Sequence, residues 1–112
     1  MVLHLSNDLT LVGKVSSWAK SQSIAYRNVP NIQKLEAGLE GDSVNVVLVD
    51  LQLKRLDIVA ACQMIKRANA NTRIYGYAQH VMTEVIEAAG QAGCDEVLTR
   101  GQFDRGFAAL LQ

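Results

Sequence analysis

The chain has 112 residues, 49% of them hydrophobic, and its eleven basic and eleven acidic side chains cancel at neutral pH. That length suits one compact domain with one sheet and a few helices, so residues 1–112 are expected to form a single domain. Zero net charge excludes a long-range field aimed at nucleic acid or an anionic membrane, and the apolar run within Val44–Leu51, broken by Asn45 and Asp50, is far too short to span a bilayer.

No basic segment followed by a long apolar one opens the sequence, so no signal peptide is expected. Cys62 and Cys94 lie far apart in apolar contexts and read as two reduced, buried thiols of a cytoplasmic protein.

Val2-Leu3-His4-Leu5 is a short apolar run, read as a buried strand. It stops at Ser6-Asn7-Asp8, whose side chains can each accept a bond from the free N–H groups of a helix start. Leu11, Val15, Trp18 and Ala19 recur at helical spacing and predict a first helix to about Ser21, with Trp18 filling core or groove. Ser23–Val29 is a weaker second strand. Pro30 starts a second helix with the stripe Ile32, Leu35, Leu39, which the run Glu40-Gly41-Asp42-Ser43 breaks.

Val44–Val49 is β-branched and almost wholly apolar, as suits a central parallel strand covered on both faces, and it ends at Asp50. Ile58, Ala61, Cys62, Ile65 and Ala68 mark a third helix, closed by the polar Asn69–Thr72 turn. Ile74–Ala78 is a fourth strand. Val81, Val85, Ala88, Ala89 and Ala92 form one face of a fourth helix, with Gly93 as its C-cap. Glu96–Thr99 is a fifth strand, and Phe103, Phe107, Leu110 and Leu111 belong to a short last helix.

Five repeats of strand then helix imply a parallel sheet with right-handed crossovers and helices on both faces. Sites in such sheets gather at the carboxyl ends of the strands, here Ser6-Asn7-Asp8, Asp50, Ala78 and Arg100.

Two of these stretches carry a family resemblance. Val46–Asp57 (VVLVDLQLKRLD) and Ala88–Arg100 (AAGQAGCDEVLTR) resemble the response-regulator receiver domain, and the element order matches along nearly the whole chain. The resemblance implies a flavodoxin-like (βα)5 three-layer sandwich with strand order 2-1-3-4-5. It also implies a Mg²⁺ site made by two carboxylates after the first strand and one after the third. A hydroxyl after the fourth strand and a lysine after the fifth would contact the phosphoryl group.

Asp50 takes the phosphoacceptor position. The acid pair falls on Ser6 and Asn7, or on Asn7 and Asp8 with a one-residue slip, and the hydroxyl position on Ala78. Arg100 stands for the lysine, followed by Gly101 where the family usually has proline. Val97 replaces the switch aromatic, and Lys54 and Ile58 replace the usual proline and glycine of the loop. Gln52 completes the degenerate pocket. A metal site reduced to Asp50 and Asp8 is a poor one, because Mg²⁺ gives up its water reluctantly, so no cofactor is expected.

The resulting expectation is a stand-alone degenerate receiver acting by protein–protein contact, without regulated phosphorylation and without catalysis of an external substrate. Asp50 is expected to be neutralised by a bidentate pair with Arg100. The partner surface, for another protein or a second copy, is expected on the face of the fourth helix, fifth strand and last helix, with Phe103, Phe107, Leu110 and Leu111. The alternatives are a phosphorylatable receiver using Asp50 and a flavodoxin-like small-ligand module. His80 reads as a solvent-facing loop residue. No phosphate-cradling glycine loop, nucleophile elbow, metal-ligand spacing or basic aromatic patch is present.

Overall fold

The computed structural model describes residues 1–41 and 43–112; Asp42, in the expected break after the second helix, lies outside the described residues. The elements in chain order are β1 (Val2–Leu5), α1 (Leu9–Ser21), β2 (Tyr26–Val29), α2 (Ile32–Gly41), β3 (Val46–Asp50), α3 (Ile58–Ala68), β4 (Arg73–Ala78), α4 (Thr83–Ala92), β5 (Glu96–Thr99) and α5 (Arg100–Leu111). The five strands form one parallel sheet in the order β2-β1-β3-β4-β5, as the family resemblance implies. No described helix is long and apolar enough to cross a membrane.

Strand periodicity divides the interior in two, because successive side chains leave opposite faces of the sheet. Leu3, Leu5, Val47, Val49, Ile74 and Ala78 face one layer, where Leu35 of α2, Cys62 and Ile65 of α3 and Ala89 of α4 close over them. Val2, Leu48, Tyr75 and Tyr77 face the other, against Leu11 and Val15 of α1 and Phe103 and Phe107 of α5. Strands covered on both sides have no polar face, which is why β1 and β3 read as apolar runs.

The start of α1 follows the expected chemistry, whereas α2 begins at Ile32 rather than at Pro30. Asp8 caps α1 through the Leu11 N–H, and Asp57 caps α3 through the Ala60 N–H. Thr99 and Gln102 form a reciprocal capping box at the start of α5.

Several expectations shift at the boundaries. β2 begins at Tyr26, not Ser23, because Ser23 takes a left-handed turn (φ 58°) and the Ile24 N–H bonds back to the Ala19 carbonyl. Val81 lies ahead of α4 and is 66% exposed, so it is no part of that helix's inner face; Ala88 is exposed too, and Ala89 alone is fully buried there. The last helix is not short. It starts directly at Arg100, without a loop after β5, and runs twelve residues. Trp18 is half-buried, edge-on to Phe107 with ring centroids 5.7 Å apart.

His4 is the one basic side chain in the buried core of β1 and is fully enclosed. Its Nδ1 lies 2.6 Å from the Tyr26 hydroxyl and its Nε2 2.8 Å from the Tyr77 hydroxyl, so both ring nitrogens have partners. Burial disfavours the imidazolium and lowers the pKa to about 4, with Asp8 opposing weakly. The folded chain therefore binds fewer protons at this residue than the unfolded chain between about pH 4 and 6.5. Its contribution is present in full above that window and is lost as the pH falls through it. We expect urea denaturation at a series of pH values to show stability dropping by roughly 2–3 kcal/mol across this range. His4→Asn is expected to flatten that slope while lowering stability at pH 8, and a wild-type curve level from pH 6.5 to 4 would contradict the assignment.

Candidate functional site

The carboxyl ends of β1, β3, β4 and β5 bring Ser6, Asp50, Ala78 and Arg100 to one edge of the sheet. In the register, Asp50 stands opposite Tyr77, and Ala78 opposite Thr99, the residue before Arg100. Asp50 is half-buried. One carboxylate oxygen accepts from Ser6 Oγ at 3.0 Å, and the other accepts from the Gln52 N–H at 3.0 Å. The Gln52 side-chain carbonyl in turn accepts from the Gln79 N–H at 2.8 Å, tying the loop after β3 to the end of β4.

Ser6 is fully buried, and its oxygen also takes the Asp8 N–H at 3.0 Å. A carboxylate only accepts, so the Ser6 proton goes to Asp50. Behind this edge, Tyr26 and Tyr77 hold the two ring nitrogens of His4; a neutral imidazole has one donor and one acceptor nitrogen, so one hydroxyl accepts from the ring and the other donates to it. Burial raises the pKa of both phenols, which keeps them protonated.

The expected Asp50–Arg100 pair does not form. Arg100 instead makes an ion pair with Asp8. Two features account for this. Because α5 starts at Arg100 itself, the guanidinium leaves the first turn of that helix, beside the start of α1 that Asp8 caps. Asp50, meanwhile, is already served by Ser6 and the Gln52 N–H. Burial works against ionisation at Asp8, but the Leu11 N–H and Arg100 outweigh it and hold its carboxyl below the ordinary range. The helices are also joined by the exposed Lys14–Asp104 pair at 2.6 Å.

This donor set does not fit Mg²⁺. A hard divalent cation needs several oxygen ligands, preferably anionic. Ser6 is neutral and turns its proton on Asp50, Asn7 is exposed and neutral, and Asp8 is engaged by Arg100. Among the described residues, no group of three or more His, Cys, Asp or Glu is placed to hold a metal ion. Ala78, at the end of β4, is buried and presents only a methyl group. Beside this site, Asn7, Asn31, Lys54 and Arg55 line part of a cleft of about 450 Å³, a feature that no sequence motif announced. His80 is exposed, as expected of a loop residue.

The expected partner residues separate into two kinds. Phe103 and Phe107 are buried, and Phe103 stacks on Tyr77 with centroids 4.2 Å apart, so neither is available to a partner. Their spacing turns both inward against β4, where aromatic packing completes the core. Leu110 and Leu111 are only half-buried.

No protein-family model matches the chain, and no curated protein matches it in sequence. Solved structures do match in backbone. The receiver domain of NtrX from Brucella abortus superposes with a TM-score of 0.83 at 15% identity, over 98% of this chain and 93% of that one. The receiver domain of the sensor histidine kinase PA1611 from Pseudomonas aeruginosa PAO1, with a magnesium ion in its active-site cleft, gives 0.81 at 17%, over 99% and 93%. The fold is that of the response-regulator receiver domains. Full-length FixJ from B. japonicum gives 0.81 at 16% identity, and there the match covers 98% of this chain but 54% of the other, so this receiver fold spans about half of that protein.

Within this receiver fold, Asp8 serves two contacts at once. Asp8→Ala is expected to lower stability by about 1–2 kcal/mol, mostly through the lost cap, since the ion pair is partly exposed and worth little. Asp8→Asn keeps a capping acceptor and is expected to cost less than half as much in urea denaturation. Equal losses for the two variants would assign the effect to the charge instead.

Proposed function

We propose that the chain is a degenerate receiver, a signal-transduction domain that works by protein–protein contact without regulated phosphorylation of Asp50. The observation that carries this reading is the hydrogen bond from Ser6 to Asp50 combined with the engagement of Asp8 by Arg100. Together they leave a single carboxylate where a metal-assisted phosphoryl transfer needs a cluster of them. The methyl of Ala78 and the aliphatic Val97 support the same conclusion on the output side. A ligand drives a conformational change only through contacts that differ between two states, and neither residue offers a phosphoryl group such a contact.

On this reading the chain catalyses no reaction of an external substrate, holds no resident metal and works in the cytoplasm. Its partner is another protein or a second copy, met on the α4–β5–α5 face. The buried Phe103 and Phe107 support that face from beneath, and Leu110 and Leu111 at the end of α5 supply its apolar contribution.

Incubation with acetyl phosphate and Mg²⁺, followed by intact-mass measurement under conditions that preserve acyl phosphates, tests the proposal. We expect no gain of a phosphoryl mass, and none from Asp50→Asn treated in parallel. A Mg²⁺-dependent gain in the wild type that Asp50→Asn abolishes would overturn it in favour of a phosphorylatable receiver.

A further inference from the structure

Cys62 and Cys94 are far apart in sequence, and the fold brings their sulfurs to 3.9 Å. Cys62 sits on the inner face of α3, and Cys94 follows Gly93, the residue that ends α4. Gly93 has φ 121°, a conformation that glycine adopts without a steric penalty, and this turns the chain down onto α3. The approach is close: a Cβ built on Gly93 would lie 3.5 Å from Cys62 Cβ. Asp95 fixes the next residue. Its carboxylate accepts from the Ile74 N–H at 2.7 Å and from Lys66 Nζ at 3.0 Å, so Lys66 of α3 is tied to the same turn.

We propose that Cys62 and Cys94 form a redox-active dithiol that closes into an intramolecular disulfide, a modification site lying outside the Asp50 region. A disulfide needs its sulfurs about 2.0 Å apart, and the remaining gap is of the order that side-chain rotation covers. Access is one-sided: Cys62 is buried, whereas Cys94 is half-exposed and admits a small oxidant. The environment of the pair supports thiolate formation. The two sulfurs share a hydrogen bond in which either can donate, and that contact, with Lys66 nearby, lowers the Cys62 pKa. The pair thus loses its first proton as a unit.

The oxidant class is a hydroperoxide. A thiolate of the pair attacks the O–O bond, taking one oxygen as sulfenic acid and releasing hydroxide. The neighbouring thiolate then attacks that sulfur, the S–S bond forms, and the oxygen leaves as water after protonation. Two thiols and one hydrogen peroxide give one disulfide and two waters. The bond staples α3 to the turn between α4 and β5, on the side of the sheet away from His4.

Hydrogen peroxide at a low molar excess, followed by alkylation with a maleimide and intact-mass measurement of the folded chain, tests this. We expect the native protein to lose two hydrogens and to become unreactive toward maleimide, with both effects reversed by a dithiol reductant. Peptide mapping should join the segments holding Cys62 and Cys94. Cys94→Ser, which keeps only the buried thiol, is expected instead to show no loss of hydrogen. Closing the loop should also raise the thermal midpoint by several degrees, read on the unmutated chain. Addition of oxygen without loss of hydrogen in the native chain, disulfide-linked dimers, or closure only in denaturant would each overturn the proposal. None of these outcomes bears on phosphorylation at Asp50.

Discussion

A line of hydrogen bonds runs through the interior from Tyr26 through buried His4 to Tyr77, and the arrangement of one whole side of the sheet depends on it. The strands bring these groups together: Tyr26 comes from β2, His4 from β1 and Tyr77 from β4. Buried polar groups are costly when unpaired, and here each has a partner, with no buried side-chain nitrogen or oxygen among the described residues left without one. The chain links the edge strand β2 to β1 and β4 through side chains, in parallel with the backbone ladder. It also explains why an apolar strand tolerates a histidine.

The strand-end pocket is settled by a separate bond. Ser6 donates its proton to Asp50, and a hydroxyl holds a carboxylate that a second charge would repel. Arg100 pairs with Asp8 across the starts of α1 and α5. The pocket is internally satisfied, with Ser6 and the Gln52 N–H serving Asp50 and Arg100 serving Asp8.

Much of the architecture was legible in the sequence because the physics behind it is local. Strands covered on both faces must be apolar, so β1 and β3 announced themselves, and a cap such as Asp8 acts over one helical turn. Legibility failed where the answer depends on distance in space. The spacing of Phe103 and Phe107 defined a helix face but not what lay against it, and the face proved to be filled by Tyr77. The ion partner of Arg100 turned on the absence of a loop between β5 and α5, which sets the guanidinium in the first turn of α5 beside Asp8. His4 was visible as a polar residue in an apolar run, yet its partners come from β2 and β4. The contact between Cys62 and Cys94 depends on the turn at Gly93, and nothing in their separation along the chain suggested it.

The Asp8–Arg100 pair has a consequence for how the edge of the sheet presents itself to anions. The starts of α1 and α5 lie side by side there, and each helix start carries partial positive charge from its aligned peptide dipoles. Two such ends and a guanidinium together make a cradle that would ordinarily recruit an anion from solution. The Asp8 carboxylate sits in that cradle as a tethered counter-ion. The protein is, in this sense, a complex with its own ligand, and any external anion must first evict it.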